Sequence, residues 1–267
     1  YQPDGDSIRF EADNPAHWDS FQWDSASIKK AAKKQLRIEA IDALETHYEG
    51  YHQPRPFALA ALERLLKLLG IAYTEYSLSQ TTIVHADDAK PGFIISDGLD
   101  RYDRPISFVF PASAKLTDGA ILTSEQIPIE KSANYILARE GLVYPTFYTT
   151  TDKVIATKIR KAVALARKAD RGLWAIDRTT YLALWDIRTL QEDVTIMPKL
   201  FRRLVAFFDS YGDFNDLPAY MARQKDNLQL WDDPTPRSLA DLMIFDVTGR
   251  RMSLLAPIED ILFSPKG

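Results

Sequence analysis

The amino-acid sequence predicts a mixed α+β fold, because short strand-like runs and longer helix-like stretches occupy separate parts of the chain. The run Ser7-Ile8-Arg9-Phe10 alternates polar and apolar residues directly after the turn residues Asp4-Gly5-Asp6. Residues 106–110 form a second run of strand length, and it is mostly apolar. Residues 57–69 instead carry apolar side chains at helical spacing and stop at Gly70, which is typical of a helix end.

The same two periodicities predict the remaining elements in chain order. Further strands are expected at residues 36–41 and 93–95, with an irregular excursion at residues 11–35. Helices are expected at residues 129–140, closed by Gly141 in a left-handed conformation, and at residues 151–169. Beyond Trp174 the pattern predicts helices at residues 200–208 and 217–223, and a hairpin whose strands, residues 242–247 and 252–255, flank Thr248-Gly249-Arg250. We therefore expect a first domain at residues 1–176 and a C-terminal α/β extension of unknown role at residues 177–267.

Composition narrows the class of protein. The chain of 267 residues is 46% hydrophobic and 26% charged, which is ordinary for a folded globular protein. It has no apolar run of about 20 residues, so no membrane association is expected. It has no cysteine, which excludes disulfides, zinc–thiolate sites and cysteine nucleophiles. The first residue is Tyr1 rather than Met, so we expect a processed or truncated chain, and a secreted or periplasmic location is favoured over others.

The net charge of −4 argues against a nucleic-acid partner, but the charge is unevenly distributed. Residues 151–174 contain seven Lys or Arg against two Asp. Residues 29–37 contain five more basic residues and no acidic one. The acidity is therefore not concentrated where a polyanion would bind.

Four fragments contain the residue types that carry chemistry. They are Asp4-Gly5-Asp6-Ser7, residues 36–46 with Arg37, Asp42 and Glu45, residues 100–105 with Tyr102 and Arg104, and Gly172-Leu173-Trp174 at the end of a helix. Each fragment alone is more typical of a turn or a solvated surface than of a site. Their order and spacing carry the information.

Together the fragments resemble the thermonuclease, or staphylococcal-nuclease-like, family from Asp4 to Trp174. That family has an Asp-Gly-Asp-Thr/Ser hairpin, then an Arg followed five residues later by Asp and three further by Glu, then Tyr-x-Arg before an aromatic strand. The resemblance implies an OB-type five-stranded β-barrel with three main helices.

The resemblance also implies a role for each matching residue. Asp6, Asp42 and the backbone carbonyl of Ala43 would hold a Ca²⁺ ion. Glu45 would orient and deprotonate the attacking water, while Arg37 and Arg104 would grip the scissile phosphate. Tyr102 would line the nucleotide pocket together with Phe147 or Tyr148, and the choice between these two stays open because the loop around Pro145 is one residue short.

These residue types suit the chemistry. A phosphodiester is an anion on which further charge grows during attack, and planar guanidinium forks and a hard cation neutralise it. A carboxylate beside them can take a proton from water. No histidine is required, and the four histidines show no metal-ligand spacing.

Several departures from the family pattern qualify this expectation. Along a flat strand Arg37 and Asp42 would face opposite sides, so their convergence requires the strand to twist or end first. Ala43-Leu44 replaces the usual Thr-Pro, and only Tyr1-Gln2-Pro3 precede Asp4 where a full strand is normal. The segments at residues 11–35 and 73–100 are longer than usual and could cover or reshape the groove.

The resemblance thus implies a calcium-dependent nuclease that hydrolyses DNA and RNA with little sequence specificity and leaves 3′-phosphates. Two alternatives stay open. One is a binding module for nucleic acid or protein on the same fold without catalysis. The other is a phosphodiesterase for a smaller ester. No protein partner can be inferred.

Overall fold

The computed structural model describes residues 4–72, 74–78, 83–87, 89–184, 186–210, 212–224 and 226–265. It is a mixed α+β structure with several small sheets. The helices are α1 (Ala26–Lys30), α2 (Arg55–Leu68), α3 (Ala133–Glu140), α4 (Lys153–Lys168), α5 (Pro198–Ser210) and α6 (Leu217–Arg223). The strands are β1 (Ser7–Glu11), β2 (Lys33–Ile38), β3 (Ile41–Asp42), β4 (Thr74–Tyr76), β5 (Ile83–Ala86), β6 (Gly92–Leu99), β7 (Pro105–Pro111), β8 (Tyr144–Pro145), β9 (Phe147–Tyr148), β10 (Leu182–Ala183), β11 (Leu228–Leu230), β12 (Asp233–Arg237), β13 (Met243–Asp246), β14 (Arg251–Leu254) and β15 (Ile261–Phe263).

The largest sheet has the strand order β1-β2-β7-β6. β1 pairs antiparallel with β2, β2 pairs parallel with β7, and β7 pairs antiparallel with β6. The predicted strands at residues 7–10 and 106–110 are confirmed, and the strand expected at residues 93–95 extends to Gly92–Leu99. The strands of the described residues form no closed barrel. Residues 1–3, where the family pattern has a full strand, lie outside the described residues.

The strand predicted at residues 36–41 is wrong in its bounds, and the reason matters for the site. β2 ends at Ile38, Ala40 adopts a left-handed conformation with φ 66°, and β3 then pairs with β8 instead of β7. The buried Asn134 holds this break open. Its side-chain amide donates to the carbonyl oxygen of Glu39 at 2.8 Å and to that of Ser107 at 3.2 Å. The chain therefore changes direction between Arg37 and Asp42.

Three of the helices, α2, α3 and α4, confirm the helices expected in residues 1–176. Gly141 ends α3 with φ 73°, as predicted, and a Cβ there would lie 2.3 Å from the carbonyl oxygen of Arg171. The side chain of Asp152 caps the first turn of α4 by accepting from Val154 and Ile155 N–H groups. Within the described residues, no helix has the length and apolar character to cross a membrane.

The C-terminal extension shares one hydrophobic core with the preceding residues. β15 pairs parallel with β9. Two arginines of α4 form ion pairs with the extension, Arg160 with Asp260 and Arg167 with Glu259. The predicted helices and the predicted hairpin of β13 and β14 are confirmed. The domain boundary at residues 176 and 177 stays a prediction.

Candidate active site

One groove brings together most of the residues singled out in the sequence. It has a volume of about 2170 Å³ and runs between the large sheet and α5. Seven predicted side chains line it: Asp6, Arg37, Asp42, Glu45, Tyr102, Arg104 and Tyr148. Ala43 and Phe147 are buried and do not line it. Of the two aromatic residues between which the sequence could not choose, Tyr148 is thus the one on the groove.

Asp6 and Asp42 meet because a glycine lets the first turn pack closely. A Cβ on Gly5 would lie 2.5 Å from the Cβ of Ala61 in α2 and 2.9 Å from the Cβ of Ala43. The turn therefore lies against β3, and a carboxylate oxygen of Asp6 accepts a hydrogen bond from the N–H of Ala43 at 2.9 Å. Burial raises the pKa of Asp6 well above its ordinary value, and the carboxylates of Asp4 and Asp42 raise it further.

Glu45 lies in the loop after β3, where the fully buried Gln53 fixes the backbone. The amide of Glu45 donates to the side chain of Gln53 at 3.2 Å, and the Gln53 amide donates back to the Glu45 carbonyl at 2.9 Å. The Gln53 side chain also donates to the carbonyl of Ile196 at 2.8 Å. Burial raises the pKa of Glu45 to about 7, although the nearby guanidinium of Arg202 opposes the increase.

Arg202 is a residue of the groove that sequence reasoning missed. It projects from α5, and one guanidinium nitrogen lies 2.8 Å from a carboxylate oxygen of Asp42. Another nitrogen lies 3.3 Å from the second Asp42 oxygen and also pairs with Glu45. Because Glu45 and Arg202 are 157 residues apart, local patterns do not connect them. The available signal is the i, i+3, i+4 spacing of Lys199, Arg202 and Arg203 on a helix whose other residues are mostly apolar.

We call Asp6, Asp42 and Glu45 the acidic end of the groove. Their chemistry fits a hard divalent cation, since Asp4 adds another carboxylate whose Oδ1 is buried without a hydrogen-bond partner among the described residues. Their present arrangement is incomplete. In the part of the chain that the structure describes, no three acidic or histidine side chains form a ready-made metal site. A cation could use Asp42 only if Arg202 releases at least one of its oxygens.

Arg37, Arg104 and Lys199 form the basic end of the groove. Arg37 projects from β2, and its guanidinium carbon lies 4.5 Å from the centre of the Tyr148 ring. Arg104 donates to Asp100 through Nε at 2.8 Å, which fixes it at the turn before β7. The basic end thus combines Arg104, which Asp100 holds in place, with Arg37 and Lys199, which pack on aromatic rings.

Tyr102 lies at the outer edge of the basic end. Its side chain is 58% exposed. The guanidinium carbons of Arg101 and Arg104 lie 4.7 Å and 5.6 Å from its ring centre. Asp103 anchors the same turn by accepting from the backbone N–H groups of Asp24 and Ser25. The long segment at residues 11–35 therefore supports this edge of the groove.

Comparison with known proteins adds nothing to this geometry. No protein-family model matches the sequence, and no curated protein matches it.

Proposed function

We propose that the chain hydrolyses phosphodiester bonds of DNA and RNA with little sequence specificity, using Ca²⁺ and leaving 3′-phosphates. The observation that carries the proposal is that three carboxylates and two guanidinium groups of the thermonuclease-like pattern, distant in sequence, line one groove. With this function we also propose that the large sheet and β3 correspond to the OB-type barrel of that family.

The basic end supplies binding of the phosphate in this proposal. A guanidinium can donate two parallel hydrogen bonds to phosphate oxygens and stays charged at any relevant pH. Arg37 hydrogen-bonds the side chain of Tyr148 and is attracted by the carboxylates of Glu39 and Asp100, so its remaining donors would bind the phosphate. Arg104 is braced by Asp100 and presents its remaining donors from a fixed position.

Glu45 supplies the base. A carboxylate is an effective general base when its pKa lies near the working pH, and burial raises the pKa of Glu45 to about 7. Gln53 fixes the backbone of this loop, so the Glu45 side chain extends from a fixed position. The ion pair with Arg202 orients the Glu45 carboxylate, but it also competes with proton transfer from water to that carboxylate. We therefore expect Arg202 to move away from Glu45 when substrate binds.

Asp6, Asp42 and the carbonyl of Ala43 would hold the calcium ion. When bound, Ca²⁺ supplies a Lewis acid that stabilises charge growing on the phosphate oxygens. Asp6 contacts Ala43 through its N–H and not through the carbonyl, and Ala43 does not line the groove, so this part of the ligand set would have to rearrange to bind the ion.

The size of the groove favours a polymer over a small ester. Its volume of about 2170 Å³ exceeds the roughly 300–1,000 Å³ typical of a small-molecule pocket. Tyr102 and Tyr148 offer aromatic faces on which bases can stack without reading sequence.

Digestion of labelled DNA and RNA by the purified chain tests this function. We expect cleavage with added Ca²⁺, none with chelator, and 3′-phosphate ends on the products. Arg37→Ala should remove the activity, whereas Arg64→Ala, which loses an ion pair to Glu140 outside the groove, should keep it. Equal activity in chelator would reject the calcium assignment, and no cleavage with any divalent ion would reject hydrolysis.

One observation favours a second candidate, a nucleic-acid or protein-binding module without catalysis. Arg202 pairs with both Asp42 and Glu45, so the chain itself already neutralises one predicted metal ligand and the predicted catalytic base. A protein that binds single-stranded DNA but cleaves none, with Glu45→Gln binding as tightly as the unmodified chain, would have this function.

A further inference from the structure

Lys199 is a cation on α5 that the family resemblance does not explain. Its ammonium nitrogen lies 3.6 Å from the ring centre of Phe263 and 5.4 Å from that of Tyr148. These two rings are neighbours, because β15 pairs with β9 in a register that places Phe263 opposite Tyr148. Arg37 contacts the same Tyr148 ring from β2. Two cations from distant parts of the chain therefore converge on one aromatic residue.

The charges of α5 are satisfied unequally. Arg202 pairs with Asp42 and Glu45, and Arg203 pairs with Asp226. Lys199, by contrast, forms no ion pair with any carboxylate of the described residues. Its side chain is half-buried, and burial lowers the pKa of Lys199 to about 8. The carboxylates of Asp42 and Asp226 attract this ammonium without forming a direct ion pair, and they do not offset its burial, so a bound anion would stabilise it.

We propose that Lys199 and Arg37, which both contact the ring of Tyr148, together bind one phosphate of a nucleic-acid strand. The C-terminal extension, which contains Lys199, would then complete the binding site. This inference rests on the proposed function. Arg37 would contribute a planar fork and Lys199 a compact charge, and a phosphate has enough oxygens for both.

The aromatic residues make the site selective for a nucleotide phosphate. The rings of Tyr148 and Phe263, with centres 6.3 Å apart, form a surface beside the cations on which a sugar or base can pack. Free phosphate would use only the cations. A short oligonucleotide should therefore bind more tightly than inorganic phosphate.

Binding of a labelled single-stranded oligonucleotide in chelator, measured over a range of KCl concentrations, tests the inference without cleavage. Lys199→Met preserves side-chain length and removes the charge. We expect it to weaken binding about tenfold and to lower the salt slope by roughly 0.7, the value for one phosphate contact on a single strand. Lys199→Arg should restore most of the affinity. Lys161→Met, an exposed lysine of α4 outside the groove, is the matched control and should bind as the unmodified chain does.

Two results would overturn the inference. One is an unchanged affinity and slope in a folded Lys199→Met protein, and the other is inorganic phosphate competing as strongly as the oligonucleotide. Cleavage of DNA with no effect of Lys199→Met would reject this site and leave the proposed hydrolysis intact. Conversely, a Lys199-dependent affinity in a chain that cleaves nothing would support the phosphate site and reject the hydrolysis.

Discussion

The two ends of the groove differ in how their charges are compensated. At the acidic end, Arg202 of the same chain pairs with Asp42 and Glu45. At the basic end, Arg37 and Lys199 contact aromatic rings and have no ion pair with a carboxylate in the described residues. Direct ion pairs therefore neutralise two carboxylates of the acidic end, whereas among the cations of the basic end only Arg104 has such a pair within the described residues.

This difference shows how a single helix can serve two purposes. α5 supplies Arg202 to the acidic end and Lys199, one turn earlier, to the basic end. Its apolar face is buried in the core shared by both parts of the chain, so both cations project from a fixed support. A substrate phosphate would complete the basic end, while a metal ion would have to compete with Arg202 at the acidic end.

The largest expected effect is on catalysis at the acidic end. Glu45→Gln should lower kcat by about 10²- to 10⁴-fold, because an amide cannot accept the proton of the attacking water. Arg202 retains Asp42 in this variant, so the fold should persist. Steady-state cleavage assays measure the change, with Glu140→Gln outside the groove as the control. A kcat within a few-fold of the unmodified chain would exclude Glu45 as the base.

The next largest effect is a loss of stability when the positive charge of Arg202 is removed from the acidic end. Arg202→Met leaves two buried carboxylates without their cation, which should lower the free energy of unfolding by about 3–5 kcal/mol in chelator. Urea denaturation should show that Ca²⁺ restores more stability in this variant than in the unmodified chain.

The adjacent residue provides the control for that measurement. Arg203→Met also removes a cation from α5, but its partner is Asp226. It should show no additional stabilisation by Ca²⁺. An equal response to Ca²⁺ in all three proteins would mean that Arg202 and the metal do not share a position.

A smaller effect should distinguish charge from geometry at the basic end. Arg37→Lys keeps the charge and loses the planar fork, so kcat/KM should fall by roughly ten- to a hundredfold, or about 1.5–3 kcal/mol, the value of a hydrogen bond to a charged group. Arg64→Lys is the matched control away from the groove. Full activity in Arg37→Lys would show that the phosphate needs only a point charge there.

The most gradual effect, and the smallest per step of the measurement, is a pH dependence of stability from Lys199. The pKa of Lys199 is lowered to about 8 in the folded chain, against about 10.4 for an unperturbed lysine. Between these values the folded chain has lost the proton that the unfolded chain retains, so stability should rise with pH, by about 1 kcal/mol per pH unit. Lys199→Met removes this contribution and should be the more stable protein below pH 8. Parallel stability curves from pH 7 to 10 would contradict the assignment.

Most secondary structure could be predicted from the sequence because its causes are local. The helical spacing of apolar residues gave α2, α4 and α6, and Gly141 marked the end of α3. The resemblance required the strand to twist or end before Asp42, but periodicity could not show the break after Ile38, since it depends on Asn134, whose side chain reaches Glu39 across 95 residues.

The residues of the site likewise divide into those that their local sequence marks and those that it does not. Asp6, Arg37, Asp42, Glu45 and Arg104 have sequence neighbours that mark them, and all of them line the groove. Lys199 and Arg202 reach the groove only through the packing of α5, which no short pattern encodes. The choice between Phe147 and Tyr148 likewise required the pairing of β9 with β15.

A crystal structure with Ca²⁺ and a short, cleavage-resistant thymidine oligonucleotide tests the central claim most directly. The account predicts a phosphate within about 2.7–2.9 Å of the Arg37 guanidinium, the usual distance for a charged hydrogen bond, with Arg202 displaced from at least one oxygen of Asp42. A strand bound elsewhere on the surface, with the basic end empty and Arg202 unmoved, would contradict it.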